Sequence, residues 1–167
     1  RRQRQMCIRD RYKDGKIFFC HGYNINGVML QLSDDLKSVS VVWRTDVLDT
    51  HHGGYVEVNG TIYGSNWINN NQGNWCAIDW NTGAKGYETT WTGGKGKGSI
   101  IAADGMLYCY DERRGAVALV NPDPAKFDIV SEFRITKGVG PHWAHPVIVN
   151  GVLYIRHGFA LMAYKMK

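Results

Sequence analysis

Apolar and polar positions alternate along this chain in short bursts of four to seven residues, and one recurring pattern punctuates them. Asp14-Gly15-Lys16-Ile17-Phe18, Asn59-Gly60-Thr61-Ile62-Tyr63, Asp104-Gly105-Met106-Leu107-Tyr108 and Asn150-Gly151-Val152-Leu153-Tyr154 all read Asn or Asp, Gly, any residue, aliphatic, aromatic. Their glycines lie 45, 45 and 46 residues apart. An Asn-Gly or Asp-Gly pair between apolar runs predicts a tight β-hairpin, because a type I′ turn needs positive φ at both central residues. A strand-built repeat of this length predicts a β-propeller in which each unit is one four-stranded blade. Helical arrays such as TPR or ankyrin repeats are shorter and need long apolar faces of helical period, whereas Gly60 to Tyr63 and Gly151 to Ile155 are β-branched and aromatic.

With the hairpin as a ruler, the second unit reads as strands Tyr55 to Val58, Thr61 to Ser65, Asn74 to Asp79 and Tyr87 to Thr92. A polar loop spans Asn66 to Gly73, Asn81-Thr82-Gly83 forms a turn, and Gly93 to Gly98 leads to the next unit. The third unit repeats the plan with Ile100 to Ala103, Met106 to Tyr110, Ala116 to Val120 and Ile129 to Ile135. The first supplies Lys16 to Cys20, Val28 to Leu32 and Ser38 to Arg44, its innermost strand expected within or before the N-terminal segment. The fourth supplies Val147 to Val149, Val152 to Arg156 and Ala160 to Tyr164 and lacks a fourth strand. The expected fold is all-β: about three and a half antiparallel blades, at roughly 12–50, 51–95, 96–142 and 143–167, from the C-terminal part of a larger propeller. Trp43, Trp91 and Phe133 fall 28, 31 and 28 residues after their units' glycines, and large rings at a repeated position predict blade-to-blade contact.

Composition changes this picture little. With 44% apolar and 12% aromatic residues the chain is globular, and twenty glycines against four prolines suit many tight turns. The net charge of +5 comes from scattered Lys and Arg concentrated only at the extreme N-terminus, so a solvated surface is expected and no nucleic-acid partner. No apolar run is long enough for a membrane span. Residues 1–11 differ in composition from all that follows, and Met6-Cys7-Ile8-Arg9-Asp10 resembles a translated sequencing-adapter scar. The native N-terminus, with any signal or lipidation site, is therefore expected to lie outside this sequence. Cys20, Cys76 and Cys109 form no Cys-x-x-Cys pair and predict buried free thiols.

The segment Ala77-Ile78-Asp79-Trp80-Asn81-Thr82-Gly83, followed by Trp91, resembles the Ala-x-Asp-x-x-Thr-Gly…Trp signature of pyrroloquinoline-quinone-type propeller repeats. In such a turn Asp79 is expected to accept backbone amide hydrogen bonds and Gly83 to take a left-handed conformation. Ser33-Asp34-Asp35 and Asn121-Pro122-Asp123-Pro124 occupy the same turn in the first and third units without Thr-Gly. The chain is thus similar to the diverged, non-catalytic members of the family, outer-membrane lipoproteins among them, more than to its quinoprotein dehydrogenases. The resemblance implies the fold and a periplasmic or secreted location. It implies pyrroloquinoline quinone and calcium only for the dehydrogenases, which clamp the quinone with a vicinal disulfide; no two cysteines are adjacent here, and no position matches the calcium ligands.

A four-stranded meander places the Asn-Gly turns and the Asp79 turn at one end of each blade and the longer connections at the other. All six histidines fall at the second end: His21 and His157 follow second strands, while His51, His52, His142 and His145 precede first strands. His51 aligns with His142 by glycine register, as do His21, Asn66 and Asp111 with one another. Asn66, Trp67, Glu112, Arg113, Arg114, Trp143 and Arg156 share this rim, and a funnel so lined is the default binding site of a propeller. His51, His142 and His145 are the candidate metal ligands, since imidazole binds Zn, Mn or Fe and titrates near neutrality. The competing expectation is that these imidazoles hydrogen-bond loop backbones and tie blades together. Gly93 to Ser99 fails the Walker pattern because Lys97-Gly98-Ser99 opens a strand, leaving a flexible connection with two solvated lysines. The expected function is a non-enzymatic module binding a small polar or carbohydrate ligand, or a protein partner, on the histidine face. A quinone-dependent alcohol dehydrogenase and a metal-dependent carbohydrate-processing enzyme are the alternatives.

Overall fold

The computed structural model describes residues 11–94 and 96–166, so the adapter-like segment lies outside the described residues except for Arg11. The described residues form fifteen strands in four antiparallel meander sheets. The first sheet is β1 (Arg11–Lys13), β2 (Lys16–Cys20), β3 (Gly27–Leu32) and β4 (Val39–Thr45). The second is β5 (Tyr55–Val58), β6 (Thr61–Ser65), β7 (Trp75–Asp79) and β8 (Lys85–Thr89). The third is β9 (Gly98–Ala103), β10 (Met106–Asp111), β11 (Ala116–Asn121) and β12 (Asp128–Arg134). The fourth has three strands, β13 (Val147–Val149), β14 (Val152–His157) and β15 (Ala160–Lys165). The fold is all-β, an arc of a β-propeller.

The hairpins that set the repeat adopt the backbone their residues demand. Asp14, Asn59, Asp104 and Asn150 have φ between 50 and 52°, and the glycine after each is also positive. Only Gly, Asn and Asp take this conformation cheaply, so each pair closes the tight hairpin that starts its blade. The Asp79 turn is equally local: Asp79 Oδ1 accepts from the amides of Asn81 and Thr82 at 2.9 and 2.8 Å and from the Thr82 hydroxyl at 2.8 Å, with Gly83 at φ 71°.

Two sequence expectations need correction. The innermost strand of the first blade is present at Arg11–Lys13, paired Arg11 to Phe18, and so includes a residue assigned to the excluded segment. It is held because Arg11 donates to the Tyr55 carbonyl at 2.7 Å and Lys13 meets Glu57 at 2.9 Å, which ties it to the neighbouring first strand. Lys97, read as solvated, is only 3% exposed. The loops of two blades close over it, and it is paired inside them as described below.

Each interior sheet is apolar on both faces, because each is covered by a blade on either side. From the second sheet Ile62, Cys76 and Ile78 pack toward Phe18, Cys20 and Met29 of the first. Its opposite face offers Tyr63, Trp75, Ala77 and Tyr87 to Leu107, Cys109, Ala116 and Ala118 of the third. Tyr110 and Val117 then meet Leu153 and Ile155 of the fourth. The repeated large rings sit at these seams. Trp43 lies against Phe18, with centroids 5.4 Å apart, and against the Gly83 turn, where a Cβ would come within 2.6 Å of its ring. Trp91, 2% exposed and just beyond the end of β8, packs on Trp75 and Phe127 and donates its indole N–H to Glu132 at 2.9 Å. Phe133 meets Tyr164 at 4.9 Å. Cys20, Cys76 and Cys109 are buried in three different blades, and burial pushes the Cys76 and Cys109 thiols up, out of the reactive range.

Because Trp91 fills the seam between the second and third blades through both its ring and its N–H, Trp91→Ala is expected to cost about 3–5 kcal/mol in urea unfolding. Phe133→Ala, at a ring 41% exposed, is expected to cost less than half as much, and equal costs would contradict this account of the seams.

Candidate functional site

The connections after β2, β4, β6, β8, β10, β12 and β14 converge on one rim, and all six histidines stand on it. At three of the four positions six residues after a hairpin glycine, a polar side chain ties down backbone of the rim. Asn66 accepts from the Asn74 amide at 2.7 Å and donates to the Val47 carbonyl at 3.0 Å and to Glu88 at 2.8 Å. Asp111 Oδ2 accepts from the amides of Arg113 and Arg114. His157 places its two ring nitrogens 2.8 and 2.7 Å from the carbonyls of Lys137 and Gly140.

A chain of polar contacts crosses three blades beneath this rim. Tyr23 Oη lies 2.6 Å from His51 Nε2, His51 Nδ1 lies 3.0 Å from His52 Nδ1, and His52 Nε2 lies 2.9 Å from Glu112 Oε2. The last approach is short but lies off the ideal N–H axis, a polar contact with the carboxylate that is an ion pair only when His52 carries a second proton. Glu112 Oε1 meets Lys97 Nζ at 2.6 Å, and Lys97 also donates to the carbonyls of Asn69 and Asn70 at 3.0 and 3.1 Å. Burial pushes the Glu112 carboxyl up, but contacts from His52 and Lys97 outweigh it and hold it below its ordinary range. Burial, then the neighbouring His52 and Lys97, lowers His51 and keeps it neutral. One proton arrangement satisfies every link: Tyr23 O–H donates to His51 Nε2, His51 Nδ1–H to His52 Nδ1, and His52 Nε2–H faces Glu112.

The outer end of this chain is held under strain. Tyr23 has φ 60°, flanked by Gly22 at 82° and Asn24 at 61°. A bulky aromatic residue pays for that conformation. The buried Asp49 enforces it, its two carboxylate oxygens accepting from the amides of Gly22 and Asn24 at 2.7 and 2.6 Å. Trp67 packs beside Tyr23 with centroids 5.1 Å apart, and Trp143 stands edge-on to His52 at 5.3 Å.

The predicted site residues divide into two groups. His51, His52, Trp67, Glu112 and Trp143 share the relay, and His145 joins it through Nε2, 2.9 Å from the His52 carbonyl. His142 stands apart, stacked on His157 at 3.7 Å and hydrogen-bonded through Nδ1 to the buried Tyr110 hydroxyl. Register placed His51 and His142 at equivalent positions, but their side chains meet different partners. Among the described residues no three His, Cys, Asp or Glu side chains are grouped as ligands of one metal ion. Arg113 donates to the Asn71 carbonyl at 3.1 Å. Arg156 lines a cleft of about 330 Å³ with Val139, Pro141, Trp143, Ala144 and Gly158. The sequence reading missed Tyr23, Asp49 and Tyr110 and set Lys97 aside as solvated; only the tertiary structure brings Tyr23, Asp49 and Lys97 to the His51–Glu112 chain and Tyr110 to His142.

No family model and no curated protein sequence matches this chain. Among solved structures it is similar to BamB from Moraxella catarrhalis, with a TM-score of 0.65 and 15% sequence identity over 92% of this chain. The chain spans 41% of the length of that protein. The likeness shows the fold: a β-propeller, of which this chain forms an arc.

Two buried groups on the rim titrate in opposite senses. Burial, reinforced by His157, lowers His142 from 6.5 to about 4, so its contribution is complete above pH 6.5 and is lost as pH falls toward 4. Burial raises Asp111 from 3.8 to about 6 against the amide bonds from Arg114 and Arg113, so its cost appears as pH rises from 4 to 6. Asp111→Asn is therefore expected to make the melting temperature fall more steeply on acidification from pH 6.5 to 4. His142→Gln should make it fall less steeply or rise, and parallel profiles for both variants and wild type would contradict these assignments.

Proposed function

We propose that this chain is part of a recognition propeller of the pyrroloquinoline-quinone-type repeat family, binding a protein partner through its loop rim in an extracytoplasmic compartment. The observation that carries this reading is the division of labour on the rim. Its imidazoles and carboxylates turn inward onto backbone and onto one another, whereas Tyr23, Ile25, Ile68, Val139, Trp143 and Phe159 are exposed, Trp143 by 58% and Phe159 by 83%. Exposed aromatic and aliphatic side chains gathered on one rim are anchors for a protein surface. No helix among the described residues is long and apolar enough to cross a membrane.

A small polar or carbohydrate ligand is the second reading, favoured by the Trp143 and Arg156 cleft, where an indole flanks a guanidinium. Quinone chemistry finds less support. The three described cysteines are buried in separate blades and cannot form the vicinal disulfide that clamps the quinone in the dehydrogenases.

Removing two aromatic anchors separates the readings. In an affinity purification from cell-envelope extract, Trp143→Ala/Phe159→Ser is expected to reduce recovery of a stoichiometric partner about tenfold or more, with the melting temperature unchanged. Undiminished recovery would reject the rim as the binding surface. Titration with pyrroloquinoline quinone and calcium is expected to give no dye-linked alcohol oxidation, and turnover would overturn the recognition role.

A further inference from the structure

The polar chain from Tyr23 to Glu112 is more than partner recognition requires. A rim that only binds a protein gains nothing from burying a carboxylate and an ammonium under its loops, since replacing such a pair by apolar residues is often neutral or stabilising. Nor does it need a tyrosine held at φ 60° by a dedicated buried carboxylate. Strain of this kind persists where the surrounding structure over-determines it, and it gathers at reactive sites. Here the strained residue delivers its hydroxyl to a ring nitrogen at 2.6 Å, while 43% of the residue stays open to solvent.

We propose that Tyr23 is a nucleophile toward acyl esters, with His51 as its general base and His52 and Glu112 as positioning residues behind it. The logic is that of a hydroxyl nucleophile, a base within hydrogen-bond reach and a third group orienting the base, extended by one imidazole. Tyr23 Oη attacks the ester carbonyl, a new carbon–oxygen bond forms, and the phenol proton moves to His51 Nε2. His51 Nδ1–H shifts to His52 Nδ1, and the resulting positive charge rests on His52 against the Glu112 carboxylate. The carbon–oxygen bond to the alcohol breaks, and the departing alkoxide recovers the proton from His51 Nε2 as the relay reverses. Water then attacks the acyl-tyrosine by the same route and restores the phenol, so that ester and water give acid and alcohol. Lys97 holds the other Glu112 oxygen at 2.6 Å and so keeps the carboxylate ionised and fixed. Trp67, partly exposed beside Tyr23, favours esters that carry a flat or pyranose ring able to stack on its indole.

An aryl sulfonyl fluoride tests the nucleophile directly and independently of any protein partner. Tyr23 Oη displaces fluoride, forming an oxygen–sulfur bond that peptide mass mapping locates. Sulfonylation of Tyr23 in the intact chain is expected to run about a hundredfold faster than that of Tyr12, the scale of general-base assistance. Tyr12 is the more exposed of the two at 66%, so exposure alone predicts the reverse order. His51→Gln should bring Tyr23 down to the Tyr12 rate with the near-ultraviolet circular dichroism unchanged, and Tyr23→Phe should abolish both the adduct and 4-nitrophenyl acetate hydrolysis. If Tyr23 reacts no faster than Tyr12, or reacts equally fast in His51→Gln, the contact only staples the loop and the proposal falls.

Discussion

Burial of both faces of each interior sheet is the constraint on which the rest of this structure depends. A lone four-stranded sheet of this size cannot bury enough apolar area to offset the conformational entropy of ordering it, so each blade is stable only against a neighbour. That requirement explains why β6 and β7 are buried at nearly every position rather than at alternate ones. It also explains why the large rings gather at seams: Trp43 and Trp91 are shared between blades, and neither belongs to the core of one sheet. Stability on this plan accumulates from blade to blade, as in other repeat architectures.

Face-to-face stacking fixes where the loops go. With every sheet a meander in the same order, the connections after even-numbered strands all reach one rim, and residues far apart in sequence become neighbours. Lys97 from one connection, Glu112 from a loop of the third blade and His52 from another connection meet in this way. Their mutual pairing keeps charge under the rim tolerable, since either ion alone would be costly to bury. Asp49 is held differently, spending both oxygens on the amides that bend the Tyr23 loop. The rim is thereby rigid beneath and apolar above. An outer surface of exposed aromatic and aliphatic side chains suits recognition, and the relay beneath it carries the proton chemistry.

The four Asn-Gly and Asp-Gly hairpins were legible in the sequence because their cause is local: positive φ at two adjacent positions admits few residue types. The Asp79 turn was legible for the same reason, its hydrogen bonds spanning three residues. From those punctuation marks and the aliphatic-aromatic runs between them follow the repeat, the strand order and the common rim of the six histidines. The innermost strand at Arg11–Lys13 was not legible, because its short run shows no alternation and it is secured by Tyr55 and Glu57, forty-four residues away. Lys97 read as solvated because a glycine-rich connection looks exposed until the loops that close over it are known.

The sequence by itself determined the unit, its period and the end of the blade at which the chemistry-bearing residues stand, since each of these follows from backbone preferences acting over a few residues. Only the tertiary structure decided which of those residues meet. The angle between stacked sheets and the course of each loop, which no local preference encodes, joined Tyr23, His51, His52, Glu112 and Lys97 into one chain and paired His142 with Tyr110 and His157 instead.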